Sequence, residues 1–406
     1  MKVSMSSNKK DIETNLFCIG YALFLIGQIL GHTFFPIPSI IRYMLIFLGI
    51  GIIMLKMALF NSVNLNASGI FKIIFSVIFL VVSIISARKS QSPILVIVWV
   101  LVMGARNIDF DKALKTFIII SVSILIITML AYFLGFINES SAARGGNIRH
   151  SFGYRYPTDF VAMIAYIFMA DLYMCIKKNL PIYNRIFMYI IVGLFTIFEC
   201  DSRLGSGTIF ILIPVIIFLK YKKPLLHNKI IKFIMRNAFF ICSLISVLLV
   251  QSYINNPNSG LLVNIDQLTS YRLTFNVIAV KFFGYSMWGQ EIYQRYEQMM
   301  GNSYFFIDSS YYIFLIQYGI VLMVLVGIVF YFSIKKKLKA NKMLIPFLFL
   351  IICINSLIGQ QFYLPEYNVF LLTVFASVSP NYIGVDKKLK EKKFEIVEFK
   401  CVFKYN

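Results

Sequence analysis

The sequence predicts an all-α, polytopic membrane protein of about twelve transmembrane helices, and three observations carry that expectation. Of its 406 residues, 59% are hydrophobic and 14% charged, against about 45–50% and about 25% in a soluble domain. The mean hydropathy is +0.77. Runs such as NLFCIGYALFLIGQILGHTFF and YYIFLIQYGIVLMVLVGIVFYFSI reach the roughly 20 apolar residues that cross a hydrocarbon core, and the alternating pattern of a β-barrel is absent.

In chain order the spans are expected near residues 15–35, 40–60, 70–87, 93–105, 115–136, 158–176, 184–200, 206–219, 233–251, 310–334, 343–358 and 364–379. The opening MKVSMSSNKKDIET is basic and precedes an apolar run. That run is longer than the core of a signal peptide, and no small-residue cleavage site follows it, so it reads as an uncleaved first span. Residues 252–309 form one long polar interval. Within it TSYRLTFNVIAVKFFGYSMWG places Leu273, Val277, Val280 and Phe283 at helical spacing, with Tyr285 and Trp288 beside them. That pattern predicts a helix lying at the membrane surface. Residues 386–406 form a basic tail, and residues 1–406 read as a single membrane domain. The two halves show no internal repeat, which weighs against a transporter built from inverted halves. The six cysteines lie in or at the ends of apolar runs, apart from Cys401 in the tail, and no C-x-x-C spacing occurs. Neither a disulfide framework nor a metal site is indicated.

Orientation follows from the short basic loops. KYKKPLLHNKIIK, KKKLKANK and DKKLKEKKFEIVEFK share one side, the cytoplasm, and an even number of spans puts both termini there. Of the 39 basic residues, 29 then fall on the cytoplasmic side, 26 of them Lys and 3 Arg. The external set is 2 Lys and 8 Arg: Arg42, Arg88, Arg144, Arg149, Arg155, Arg203, Arg272 and Arg295. Lysine is a hydrated point charge, suited to holding topology against anionic lipid. Arginine offers a planar fork of donors that grips phosphate oxygens in pairs. The external arginines run against the positive-inside rule and call for an anionic ligand.

Four external segments carry the candidate chemistry. RGGNIRHSFGYRYP holds Arg144, Arg149, His150, Arg155 and Tyr156. ECDSRLGSG holds Glu199, Asp201 and Arg203. The long interval supplies Arg272 and ends at Asp308, followed by Tyr311, and GQQFYLPEYNVF supplies Glu366. Plainer roles compete for several of these. Asp308 could cap the tenth helix, Arg203 could pair with Asp201 or Glu199, and His150 could be a solvated loop histidine. Arg88 reads as a snorkelling anchor. His32 and His227 have no neighbouring partner pattern.

RNIDFDKALK, RGGNIRHSFGYRYP, DSRLGSG, SYRLTF with the following FFGYS, and IDSSYYIFLIQYGI occur in the order seen in Wzy-type polymerases of capsule and O-antigen repeat units. The resemblance covers roughly residues 70–380. It implies a GT-C-type membrane architecture shared with O-antigen ligases, in the cytoplasmic membrane of a bacterium, with the active site on the outer face. It implies a metal-independent glycosyl transfer that needs no cofactor. The substrates would be undecaprenyl-pyrophosphate-linked oligosaccharides, as donor and as acceptor. A chain-length regulator and a flippase would be the partners, with the bilayer as surroundings and no nucleic acid involved. Where the family often reads Gly-Phe-x-His-Pro-Asn, this chain has Gly153-Tyr154-Arg155-Tyr156-Pro157-Thr158. Tyr156 thus replaces the histidine, leaving His150 as the nearby imidazole.

In that reaction the anomeric carbon loses pyrophosphate, so negative charge grows on the leaving oxygens and fixed cationic donors stabilise it. Arg144, Arg149, Arg155, Arg203 and Arg272 suit that task. The attacking hydroxyl benefits from a proton acceptor, for which Asp308, His150, Glu199 and Asp201 are candidates. Tyr311 is expected to orient Asp308. A ligase of the same architecture, moving finished glycan to another acceptor, would show the same arginines. A flippase is the non-enzyme alternative, and it would carry charge inside a central cavity rather than at one face.

Overall fold

A computed structural model describes residues 2–60, 67–140, 142–144, 147–221, 223–301 and 305–378; the predicted basic tail at 386–406 lies outside the described residues. The chain is predominantly helical, as the apolar runs require. The helices are α1 (Lys2–Gly31), α2 (Ser39–Phe60), α3 (Ala67–Ser90), α4 (Ile94–Gly104) and α5 (Phe110–Phe133), followed by a small hairpin of β1 (Ala142–Arg144) and β2 (Asn147–Arg149). Then come α6 (Pro157–Lys177), α7 (Tyr183–Phe198), α8 (Arg203–Tyr221) and α9 (Lys229–Asn255). The long interval holds α10 (Gly260–Leu268), α11 (Arg272–Phe283) and α12 (Tyr293–Met300), and the chain returns through α13 (Ser310–Tyr312), α14 (Ile320–Lys339) and α15 (Leu344–Asn355). Among the described residues seven helices are long and apolar enough to cross a membrane, and α4, α7 and α15 are shorter apolar helices. A multi-pass, membrane-embedded protein follows.

Local chemistry sets the helix ends. Asp109 caps α5 by accepting from Asp111 N–H at 3.0 Å, Asn228 caps α9 by accepting from Ile230 N–H at 2.8 Å, and Pro157 opens α6, where its missing N–H costs nothing. α6 is buried along almost its whole length and forms the centre of the bundle. The apolar side chains of α2 and α3 are largely exposed, as lipid-facing helices should be. α1 and α2 cross at bare backbone. A Cβ placed on Gly49 would lie 2.4 Å from the Gly20 carbonyl oxygen, so the close approach depends on both glycines.

Among the described residues two of the predicted spans depart from regular helix. The tenth predicted span begins as α13, widens into a π-type turn at Ile313–Tyr318 and becomes α14 only after Gly319. The widened stretch is buried, and the chain at 286–290 lies against it: Ser286 N–H donates to Leu315 O at 3.0 Å and Gln290 N–H to Gln317 O at 2.9 Å. Gly319 has φ +98°, and any Cβ there would strike Met287 O at 2.6 Å. The twelfth predicted span, 364–379, is not an α-helix. Short 3-10 turns at Gln361–Tyr363 and Val369–Val374 carry the chain instead. The chain passes from Tyr367, whose ring meets the His32 imidazole edge-on at 5.5 Å, to Ser377, which pairs with Asp109 at the start of α5. Val369–Thr373 is buried throughout. Irregular backbone is tolerated inside a bundle when protein covers it, and the sequence periodicity of this run gave no hint of that choice.

Candidate active site

The predicted arginine segments meet at the end of the bundle where α6 and α8 begin. A cavity of about 370 Å³ is lined there by Arg149, Arg203 and Arg272, with Asp201, Thr158, Thr269, Ser270 and Asn355 among the polar neighbours. Three guanidiniums from three separate parts of the chain therefore share one cavity with one carboxylate in its wall. The rest of the wall is apolar: Leu204 and Ile211 from α8, Ile351 and Ile354 from α15, with Leu268 and Ile358. Ile211, Leu268 and Ile354 are themselves half or more exposed, so an apolar strip leads from the cationic end out to the lipid-facing surface.

Each arginine is held differently. Arg149, at the end of β2, is 9% exposed and donates from Nε to Cys200 O at 3.1 Å. The hairpin register, Ala142 opposite Arg149 and Arg144 opposite Asn147, fixes where that side chain starts. Arg203 is the first residue of α8 and the most exposed of the three; its Nε lies 3.8 Å from Asp201 Oδ1. At 55% exposure of its side chain, this pairing is of the weak surface kind and leaves the guanidinium accessible. Arg272 opens α11 behind a turn in which Ser270 and Tyr271 both adopt left-handed φ, at 61° and 63°. Asp201 is a third left-handed residue at this cavity, at φ 40°. Such strain persists where surroundings over-determine it, often at functional sites. Asp266 supplies the constraint at α11: its carboxylate accepts Thr274 Oγ1 at 2.6 Å and Thr274 N–H at 3.1 Å, tying α10 to the first turn of α11.

Arg272 Nε faces Asp308 Oδ2 at 3.1 Å, and its Nη1 donates to Ile358 O. The N-cap of α13 is Ser309 rather than Asp308. Arg272 and Asp308, both singled out in the sequence, are thus a direct ion pair beside the cavity that Arg272 lines. Tyr311 does not orient Asp308. It is fully buried, and its hydroxyl donates to Cys353 O at 2.9 Å, on the core side of the turn.

The remaining candidates form two neighbouring groups outside the cavity lining. His150 Nδ1 lies 2.6 Å from Glu139 Oε1, and His150 N–H donates to the Glu199 carbonyl at 2.8 Å, which is what brings Glu199 here. Glu139 also receives Tyr132 OH at 2.9 Å and the N–H groups of Ser151 and Phe152 at 2.9 and 3.2 Å. Burial pushes the Glu139 carboxyl up, but His150 and these donors outweigh it and hold the group below its ordinary value. The second group centres on His32, set aside in the sequence because its partners are distant in the chain. Its Nδ1 lies 3.4 Å from Asp159 Oδ2 and its Nε2 3.5 Å from Glu366 Oε1. Burial opposes its charge, yet the hydrogen bonds and charges of Asp159 and Glu366 raise its pKa to about 10, so it is an imidazolium at neutral pH. Arg155 joins this group, donating from its backbone to His32 O at 2.8 Å and from Nε to Thr33 O at 3.3 Å. Tyr156 is exposed at the N-cap of α6. Arg144 sits in β1, its side chain outside the described residues.

The arrangement can bind a diphosphate-sized anion with an apolar tail and can present a carboxylate beside it. Comparison with known proteins adds nothing further: no protein-family model, curated protein or solved structure matches the chain.

Proposed function

We propose that this protein is a polysaccharide polymerase of the Wzy type, joining undecaprenyl-pyrophosphate-linked repeat units at the outer face of a bacterial cytoplasmic membrane. The reading takes the arginine-bearing end of the bundle as external and the lysine-rich end as cytoplasmic, with twelve crossings and a GT-C-type architecture. The observation that carries it is the meeting of Arg149, Arg203 and Arg272 on one cavity whose other wall is apolar and opens between α8 and α15. A polyprenyl diphosphate has that division: two phosphates for the guanidinium forks and a hydrocarbon tail for the strip beside lipid.

In the proposed mechanism the three arginines hold the diphosphate of the growing chain and take up the charge that develops on its oxygens as the anomeric bond breaks. The hydroxyl of the incoming repeat unit attacks the anomeric carbon from the Arg272 side of the cavity. Asp308, fixed against Arg272, accepts the hydroxyl proton, and undecaprenyl pyrophosphate leaves along the apolar strip. A flippase fits less well, since the charges gather at one end of the bundle instead of lining its length.

The test is gel analysis of surface glycan in a strain lacking the gene. Loss of the ladder with single repeat units remaining is the expected result. Full-length polymer that is merely unattached would identify a ligase instead.

A further inference from the structure

The interval between α9 and α13 holds a row of aromatic rings that the cavity does not use. Tyr296 of α12 stacks on Phe305 at 4.2 Å between ring centroids, and Phe282 of α11 meets Tyr296 edge-on at 5.7 Å. Tyr296 and Phe305 are buried and fasten α12 to α11. Tyr293 and Phe306 continue the row, stacked at 5.8 Å with 30° between their planes, yet both are only half-buried. Residues 305–309 alternate in burial, as extended backbone does. Phe305, Ile307 and Ser309 are buried, whereas Phe306 and Asp308 keep accessible surface. Side chains two apart in extended backbone share a face, which sets Phe306 and Asp308 on one side, about 6–7 Å apart along the chain. The exposed positions beside Tyr293 are Gln294, Arg295 and Glu297, so this face meets water. That weighs against the plainer role of an aromatic anchor in the membrane interface.

We propose that the Phe306 ring, backed by Tyr293, is the platform on which a sugar ring of the acceptor repeat unit stacks, with Asp308 at its edge to receive the attacking hydroxyl. This deepens the polymerase reading and rests on it. A pyranose ring has faces of C–H bonds and an edge of hydroxyl groups. Its C–H face suits the face of an aromatic ring, where the negative part of the quadrupole lies, and its edge needs hydrogen-bond partners. Phe306 supplies the first and Asp308 the second. Their spacing is that of one sugar ring, so a ring seated on Phe306 brings one edge hydroxyl to the carboxylate, its single hydrogen directed there. A lipid tail is a poorer occupant, because it would cover the Asp308 carboxylate without satisfying it. Asp308 also pairs with Arg272, which lines the diphosphate cavity. The donor, held by its diphosphate in that cavity, carries its anomeric carbon outward past Arg272, and carbon and hydroxyl meet at the rim beside Asp308. There the hydroxyl oxygen bonds to the anomeric carbon. The bond from that carbon to the diphosphate oxygen breaks, its electron pair leaves on the diphosphate, and the hydroxyl proton passes to Asp308.

Two variants of the full-length protein in lipid nanodiscs test this. Phe306→Leu keeps apolar bulk but loses the aromatic face, and Phe306→Tyr keeps the face. The probe is the repeat-unit oligosaccharide alone, released by mild acid from the lipid carrier of a strain lacking the gene. Its binding is read by saturation-transfer NMR on the sugar ring protons, beside binding of undecaprenyl pyrophosphate. The wild type and Phe306→Tyr should both transfer saturation to the ring protons. In Phe306→Leu the Kd for the oligosaccharide should rise by about threefold to tenfold, the range for one aromatic contact, with undecaprenyl pyrophosphate bound as in the wild type. A smaller rise in Phe306→Leu, or no saturation transfer in the wild type, would overturn the proposal. Equal losses in both variants, or a parallel loss of undecaprenyl pyrophosphate binding, would mark a structural role and overturn it too. A wild type that binds the oligosaccharide through Phe306 but not undecaprenyl pyrophosphate would leave the platform standing and sink the polymerase reading instead.

Discussion

At the scale of single residues, the site turns on the pair Arg272 and Asp308, 3.1 Å apart. Two roles for Asp308 predict different consequences. As a positioning partner it needs only an acceptor oxygen facing Arg272 Nε, which asparagine retains. As the proton acceptor it needs a carboxylate, and general-base loss costs on the order of 10²–10⁴-fold. Asp308→Asn should therefore bind undecaprenyl pyrophosphate almost normally yet fall at least about 100-fold in turnover of purified lipid-linked repeat units. Turnover above a tenth of wild type would reduce Asp308 to a holder of Arg272, leaving His150, oriented by Glu139, as the next base to examine. Sequence reasoning singled out Arg149, Arg203 and Arg272 because arginine stands out against the lysine-rich connections, and Asp308 because it is a carboxylate at the end of the long polar interval. It passed over Asp266, which carries no unusual local pattern. His32 was missed because its two carboxylates lie at positions 159 and 366 and meet it only after folding.

At the scale of elements, the geometry of the site depends on how few degrees of freedom the helices keep. α1 and α2 touch through Gly20 and Gly49, and α1 delivers Thr33 to its bridge with Tyr154 and His32 to Asp159 at the start of α6. Gly49→Leu would push a side chain into the Gly20 carbonyl and the backbone of Phe24. Overpacking of this kind costs typically about 1–3 kcal/mol, and here the obstruction is backbone, which cannot rotate away. The expected outcome is a lowered thermal midpoint of the protein in detergent, measured by fluorescence-detected size exclusion after heating. Gly51→Leu on the same helix meets nothing within 4 Å and should leave the midpoint unchanged; equal effects at the two positions would show that α1 and α2 do not pack through Gly49. Within residues 269–289 the chain forms the helix α11, which buries Leu273, Asn276 and Ala279 instead of the expected stripe of Leu273, Val277, Val280 and Phe283, whereas the last predicted span became buried 3-10 turns. Hydropathy registers that a segment is apolar, and burial among helices satisfies an irregular apolar segment as well as lipid satisfies a regular one.

At the scale of the whole molecule, lysine and arginine are distributed unequally between the two ends of the bundle. Lys220 reaches Asn179 and Leu180 O, Lys342 reaches Val378 O and Lys177 pairs with Asp111, so the lysine-rich connections gather at one end. The arginines of the cavity gather at the other. If that polarity matches the membrane as proposed, a single cysteine introduced at position 260 in a cysteine-free background should react with an impermeant maleimide on intact spheroplasts. One introduced at position 341 should react only after lysis. The reverse pattern would invert the protein and remove its site from the outer face.

The sequence by itself determined that the chain is helical and membrane-embedded, where most helices fall, and which connecting segments carry the arginines. These properties are local: an apolar run of the right length has few alternatives in a bilayer, and a guanidinium keeps its charge in any fold. Only the tertiary structure decided which of the candidates meet. It drew Arg149, Arg203 and Arg272 onto one cavity, sent Arg155 and Glu366 to His32, gave His150 to Glu139, and turned Tyr311 into the core. Those outcomes depend on the helix crossings, the strained turn at Ser270 and Tyr271, and the buried clamp at Asp266. Each is a balance of packing and hydrogen bonding between residues far apart in the chain, and such balances leave no periodic trace in the sequence.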